Sequence, residues 1–398
     1  MKCIELVPLD IEVSDNLFVR RCLIRRIDGG NQIDEMELWF QFDTSIMPPE
    51  DDDCDSYLLA VFMDAMKEGR NVNVKGTVSK WLLSNLIEYQ AAWNKWLPDI
   101  YSLIEISVDS VRANNNIAVS GAICAFSGGV DSTFSVWRHS QRKCHYRSQE
   151  IKLCSIVHGF DIPLADEVAF DNARKRAEKT LKDINVDIVP IRTNYKKIAK
   201  ANWEHAFSCA LVATLSNFKK VAGICIVGSS EPYDSLVIPW GSSPITDHLL
   251  SSDEFNVIHD GASHSRTEKV KDISEWKIGV ENLRVCWEGD LKDRNCGKCE
   301  KCLRTQLNFL VTGNPIPSCF PDYKDSDISL NKVVLRNDAD RSEWQQIFEF
   351  AKKNHIEGLW VKQLHGVIKR KSIINIVFPR NSFRREIAKN LAKKLSWR

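Results

Sequence analysis

The sequence has almost no net charge: 54 Lys and Arg stand against 53 Asp and Glu, a formal +1 over 398 residues. A chain so balanced has no overall attraction to nucleic acid or to an anionic surface. No stretch approaches the roughly eighteen apolar residues that a membrane-spanning helix needs, so no contact with a membrane interior is expected. The first dozen residues carry acids and lack the apolar core of a signal peptide. There is no internal repeat and no long low-complexity tract. The 13 cysteines are odd in number. Most stand alone, as Cys3, Cys22, Cys54, Cys144 and Cys319 do, which is not the pattern of a disulfide framework. Thiols left free or on metal suit a reducing compartment, and the cytoplasm is the expected address. No Gly-x-x-x-x-Gly-Lys-Ser/Thr loop occurs, which excludes the Walker way of holding a nucleotide.

What is present divides into parts. The length suits two or three domains. Residues 1–115 read as an α+β accessory domain: apolar and polar residues mix as in strands over 17–27 and 37–42, and helices are expected over 57–66 and 79–96. No catalytic constellation stands out there. From 116 to 280 short apolar runs alternate with amphipathic stretches. Strands are expected over 121–126, 151–158, 186–191 and 221–227, with helices over 131–139 and 164–184 and another marked by Trp203, Phe207, Leu211 and Leu215. That alternation specifies the α/β class, a doubly wound parallel sheet with helices on both faces. Ligands of such sheets bind outside the carboxyl ends of the strands. Residues 281–313 hold a cysteine cluster, and 314–398 form a basic helical region. Charge is concentrated at the end: 13 Lys or Arg against two acids from 352 onward, which leaves the remainder acidic by about ten charges.

The chemistry centres on Ser127-Gly128-Gly129-Val130-Asp131-Ser132, between the first of these strands and its helix. Two glycines let the backbone approach a ligand closely and take positive φ. Successive N–H groups then face one concavity, and the helix N-terminus adds partial positive charge, an arrangement suited to an anion. The hydroxyls of Ser127 and Ser132 are further phosphate donors.

Ser-Gly-Gly-x-Asp-Ser resembles the signature of the PP-loop, or N-type, ATP pyrophosphatases. The resemblance implies ATP cleaved between its α and β phosphates, with Ser127, Gly128, Gly129, Asp131 and Ser132 binding the β and γ phosphates together with magnesium (Mg2+). By the same resemblance His158 and Gly159, ending the second strand, contact the adenine. Gly228 and Ser229, ending the fourth, contact the α-phosphate region. Arg266 and Lys269, three apart and on one face if helical, join Asp131 and Ser132 as catalytic residues that offset charge as pyrophosphate leaves. His205, on an apolar helix, reads instead as a core histidine.

Cys286, Cys296, Cys299 and Cys302 follow the spacing C-x9-C-x2-C-x2-C. Four thiolates this close can build a tetrahedral zinc (Zn2+) site with no open position for chemistry. An iron–sulfur cluster is the rival, but a ferredoxin-like run requires C-x3-C-Pro next, and Arg304 leads into a helix instead. The text around the cysteines resembles the zinc motif of 7-cyano-7-deazaguanine synthases, including the Gly after the second Cys and the Arg after the last. The resemblance spans roughly residues 120–312. It implies adenylation of a carboxylate, 7-carboxy-7-deazaguanine. Between the motifs the chain departs from those synthases: residues 233–244 replace the segment that lines their deazaguanine pocket. With its two added regions the chain resembles the extended relatives found in bacterial anti-phage gene clusters. The nitrogen that captures the adenylate is accordingly ammonia or a protein amine.

Two other readings remain open at this level. One is a tRNA-modifying PP-loop enzyme, with RNA held by a basic amphipathic helix in which Arg384, Arg385, Lys389, Lys393 and Lys394 alternate with Phe383, Ile387, Leu391 and Leu395. The same helix could hold a partner protein. The other is an assembly subunit that has kept the fold without catalysis.

Overall fold

The computed structural model describes residues 2–113, 118–286, 288–321, 330, 333–335 and 338–369. Three long strands open the chain: β1 (Lys2–Ser14), β2 (Leu17–Asp28) and β3 (Asn31–Asp43). Their antiparallel pairing is set by two-residue turns, Asp15-Asn16 and Gly29-Gly30, all four at positive φ. Such turns match the right-handed twist of the strands they join. Then come α1 (Asp55–Glu68), β4 (Asn71–Ser79), α2 (Lys80–Trp96) and β5 (Ile106–Arg112), with β4 and β5 added parallel to β1.

The second half alternates strand and helix. Its elements are β6 (Ala122–Ala125), α3 (Val130–Ser140), β7 (Ile151–His158), α4 (Glu167–Lys182), β8 (Asp187–Thr193), the single turn α5 (Tyr195–Ile198), α6 (Trp203–Leu215), β9 (Ile224–Gly228) and β10 (Asn256–Asp260). The five strands are parallel in the order β10-β9-β6-β7-β8. Chain direction therefore reverses its walk between β6 and β9. At such a switch point the flanking connections leave to opposite faces and open a crevice at the carboxyl ends. Helices α3 and α4 cover one face through Val136, Ala177 and Leu181. Helix α6 covers the other through Ala206, Ala210 and Ala213.

The two halves are joined through one sheet. β3 pairs antiparallel with β8, Phe40 opposite Thr193 and Phe42 opposite Ile191, so all ten strands form one sheet. One apolar core runs from Ile4 and Phe62 to Val212 and Val257. Charged groups cross the same seam. Lys219, at 2% exposure, pairs with the buried Asp53 and Asp55, and Arg20 donates to Asn217 at 2.7 Å. Burial alone would raise the Asp53 carboxyl, but Lys219, Arg20 and Arg112 outweigh it and hold Asp53 at about 2. Pairing between strands about 150 residues apart in the chain leaves no local signal in the sequence.

After β10 the chain forms α7 (Arg266–Ile273), α8 (Lys277–Glu281) and α9 (Glu300–Val311), then α10 (Asp338–Lys353) and α11 (Leu359–Lys369). The last three share a core of Leu303, Leu307, Trp344, Ile347, Trp360 and Leu364. The basic amphipathic helix expected around Phe383 to Leu395 lies outside the described residues. Among the described residues no helix is long and apolar enough to cross a membrane.

Candidate functional site

β6 ends at Ala125 and α3 starts at Val130, which places the expected phosphate loop at the switch point. Gly128 takes φ +76, a conformation that favours glycine. The loop is braced from outside. Arg284 donates its backbone N–H to the Gly128 carbonyl at 2.8 Å and its Nε to the Ser127 carbonyl at 3.1 Å. Within the loop Gly129 N donates to Ser127 Oγ at 3.3 Å, and Ser132 Oγ donates to the Gly129 carbonyl at 3.1 Å.

Asp131 stands in the first turn of α3 and is met by two cations from α7. Arg266 reaches its Oδ2 at 2.5 Å, and Lys269 reaches its Oδ1 at 3.1 Å. The sequence explains this convergence. Ser265 caps α7 and accepts from Glu268 N while Glu268 accepts from Ser265 N, a reciprocal capping box that fixes where the helix begins. Residues 266 and 269 then share one face, and both are buried. Burial pushes the Asp131 carboxyl up, but Arg266 and Lys269 prevail and hold it below its ordinary value. Lys269 Nζ also donates to the Ser229 carbonyl at 2.5 Å and to Ser229 Oγ at 2.9 Å. Ser229 thus holds a lysine, and Gly228 lines the crevice beside the loop.

Two connected cavities open here. The smaller, about 90 Å3, lies among Ser127, Gly129, Asp131, Ser132, Arg266, Arg284 and Lys301. The larger, about 230 Å3, shares Ser127, Asp131, Ser132 and Arg284 with it and runs between Ile156, Val157, Val227 and Gly228 on the sheet and Phe160, Trp203, Phe207 and Leu211 opposite. Phe160 meets Trp203 edge-on at 5.1 Å. A polar end rich in cations thus adjoins an aromatic slot.

His158 does not belong to this slot. Successive strand residues face opposite sides of a sheet, and Val157 faces the cavity. His158 turns to α4, where it stacks on Phe170 at 4.1 Å and 5° and its Nε2 lies 2.9 Å from the Pro163 carbonyl. Gly159 has a packing reason: a Cβ there would stand 2.0 Å from the Thr193 carbonyl, and its φ is +108. His205 is a core histidine, as read, with Nδ1 at 2.8 Å from Tyr101 Oη.

Several site residues were missed or misread from sequence. Trp203, Phe207 and Leu211 mark α6, but their stripe lines the cavity; the core face of that helix carries Ala206, Cys209, Ala210 and Ala213. Arg284 and Lys301 arrive from the cysteine region. Glu231, just beyond β9, is 5% exposed and its carboxyl has no hydrogen bond or ion pair among the described residues. Burial, reinforced by Glu343 and Asp131, pushes it up to about 8. Glu343 comes from α10, ion-pairs with Arg266 at 3.2 Å and pairs closely with Arg304, so the C-terminal region reaches the site.

The four expected cysteines converge. Their Sγ atoms all lie within 4.8 Å of one another, and this group could hold a metal ion such as zinc. Cys286 and Cys299 are 3.7 Å apart, Cys296 and Cys302 3.9 Å. Gly289 N donates to Cys286 Sγ and Cys299 N to Cys296 Sγ, each at 3.3 Å. An all-sulfur set of this size fits zinc in a closed, structural site. Cys286 and Cys302 pack in one cluster with Val130 and Phe134 of α3 and Val270 and Ile273 of α7. Those are the two helices that carry Asp131, Arg266 and Lys269. A second group, His139, Cys144 and Asp260, also lies within 4.8 Å, but Arg138 pairs with Asp260 at 3.0 Å and already supplies the positive charge.

No protein-family model, no curated protein and no solved structure matches this chain.

Proposed function

We propose that the chain is an AMP-forming carbon–nitrogen ligase that activates a carboxylate with ATP, the carboxylate being 7-carboxy-7-deazaguanine by the resemblance of the two motifs. The observation that carries this reading is one constellation: a glycine loop at the switch point of a parallel sheet, an Asp131 gripped by Arg266 and Lys269, and an aromatic slot opening from the same floor. The loop N–H groups and the α3 N-terminus face the small cationic cavity and suit a polyphosphate. The slot between Trp203 and the ends of β6, β7 and β9 suits a flat base.

The reaction has two steps. A carboxylate oxygen bonds to the α-phosphorus, and the bond from that phosphorus to the bridging oxygen breaks; pyrophosphate leaves with the electron pair. A nitrogen nucleophile then bonds to the acyl carbon, the carbon–oxygen bond to AMP breaks, and the nitrogen sheds its proton. The chain's own residues position these groups and stabilise charge. Arg266 and Lys269 stand where negative charge grows on pyrophosphate, and Ser229 holds Lys269 there. Asp131, which lines the small cavity, and Glu231, which lies outside that lining but feels the Asp131 charge, are the oxygen donors that would hold magnesium, and the ion when bound would offset phosphate charge. Glu231→Gln should therefore raise the Mg2+ concentration for half-maximal pyrophosphate release by about tenfold; a titration of initial rates against Mg2+ checks this, and an unmoved midpoint removes Glu231 from the metal site.

The deciding experiment incubates the protein with ATP, Mg2+ and 7-carboxy-7-deazaguanine, with either ammonia or the product of a neighbouring gene. Pyrophosphate release reports the first step. Intact mass distinguishes a small-molecule amide or nitrile from an amide-linked protein. No carboxylate-dependent pyrophosphate with either acceptor would overturn the reading.

A further inference from the structure

The cysteine cluster and the phosphate cavity meet at one residue. Lys301 sits between Cys299 and Cys302 in the chain, at the start of α9, and it lines the small cavity together with Ser127, Gly129, Asp131 and Arg266. The other cations of that cavity are already engaged. Arg266 pairs with Asp131 and Glu343, Lys269 nearby with Asp131 and Ser229, and Arg284 braces the Ser127 and Lys292 carbonyls. The Lys301 ammonium has no hydrogen bond or ion pair among the described residues; it is only half-exposed, with the cations Arg266 and Arg304 and the carboxylates Asp131 and Asp161 around it. Three cations of the cavity, Arg266, Arg284 and Lys301, face two carboxylates, Asp131 and Asp161, and Lys301 alone of the three has no bonded partner among the described residues, so an anion completes the site.

We propose that Lys301 binds the terminal phosphates of the nucleotide, and that metal at Cys286, Cys296, Cys299 and Cys302 sets its position. The inference rests on the reading of this site as an ATP site. Its geometric basis is separate from the loop motif. Cys299 caps α9 and Cys302 lies in its first turn, so both flank Lys301, and Cys286 lines the same cavity. A metal joining these sulfurs locks the one turn that carries the lysine. Lysine suits the task as a compact point charge that approaches phosphate from any direction. The cluster, structural in its ligand set, thereby acts on nucleotide affinity through this side chain.

Calorimetric titration of the full chain with Mg·ATP, Mg·pyrophosphate and AMP tests this. Lys301→Met should weaken Mg·ATP and Mg·pyrophosphate by about tenfold to a hundredfold, the scale of one lost charge-assisted hydrogen bond. AMP affinity should stay the same, and Lys301→Arg should recover part of the loss. Metal content and melting temperature of both variants establish that the cluster and fold are intact. Wild-type protein stripped of metal by a chelator should lose pyrophosphate affinity at least as far as Lys301→Met does, and Lys301→Met should cost little in protein already stripped. Equal pyrophosphate affinity in wild type and Lys301→Met overturns the role of Lys301 while leaving the ATP site standing. Undiminished affinity in the stripped wild type overturns the coupling to metal. Wild-type protein that binds neither ATP nor pyrophosphate overturns the ATP reading itself.

Discussion

Asp131→Ala should lower carboxylate-dependent pyrophosphate release by about a thousandfold or more, the scale of losing a preorganised charged group at a reacting phosphate. The side chain does two things that alanine cannot. It would offer carboxylate oxygens to the magnesium of the proposed reaction, and it holds Arg266 at 2.5 Å and Lys269 at 3.1 Å against the first turn of α3. Without it, among the described residues, Arg266 keeps its ion pair with Glu343, and Lys269 keeps its bonds to Ser229 and its place over the Phe134 ring. Asp131→Asn separates the two contributions. The amide retains the shape and one acceptor for a cation but carries no charge for the metal, so its rate should stay low while stability recovers. Thermal melts run beside the pyrophosphate assay distinguish a lost site from a lost fold, because breaking a buried ion pair is itself destabilising. Rates within a few-fold of wild type in Asp131→Ala would falsify the role of this loop in cleaving ATP.

The parts of this molecule visible in its sequence were those whose signal is local. The loop 127–132 could be placed because glycines, a strand and a helix start fall within ten residues. The cysteines could be paired with a metal because their spacing alone brings them together, and the structure gathers all four within 4.8 Å. Arg266 and Lys269 share one face and meet Asp131 because a capping box fixes where their helix begins. His158 ends its strand on the face that turns to α4, and the end of a strand does not itself say which face its last residue takes. Its neighbour Val157 is the one that meets the cavity. The stripe Trp203, Phe207 and Leu211 has the spacing of a core face, and spacing does not say whether the opposite wall is protein or ligand. Glu231 carries no pattern at all. It is notable only once burial and the lack of a partner are known. The joining of β3 to β8 and the reach of Glu343 from α10 depend on contacts across 150 and 77 residues respectively, which no window of sequence contains.

Cys302→Ser should have the largest effect on the structure of the C-terminal half. Cys302 is fully buried, whereas Cys296 and Cys299 are partly exposed, so a serine there leaves a hard hydroxyl among three thiolates with no water to satisfy it. Four-cysteine zinc binding is worth about 10–16 kcal/mol in small zinc domains, and the binding energy is folding energy there. Here α9–α11 have their own core, but the cluster also packs on α3 and α7 through Val130, Phe134, Val270 and Ile273. Loss of the metal should therefore remove hydrogen-exchange protection first from α9 and then from the N-terminal turns of α3 and α7, while β1–β3 and α1, which share none of that cluster, keep theirs. Elemental analysis should find well under one zinc per chain. Cys319→Ser is the matched control. Its thiol packs against the same cluster and donates to the Val280 carbonyl at 3.3 Å, but it stands outside the group of four, so zinc should stay bound. Full zinc content and unchanged protection in Cys302→Ser would mean that the cysteines converge as free thiols. If protection falls in α9 alone and pyrophosphate release persists, the metal supports the C-terminal region without supporting the site. Loss of both together is the expected result, because the helix that begins at Cys299 and the helix that begins at Gly129 pack into one cluster, and the cavity lies between their first turns.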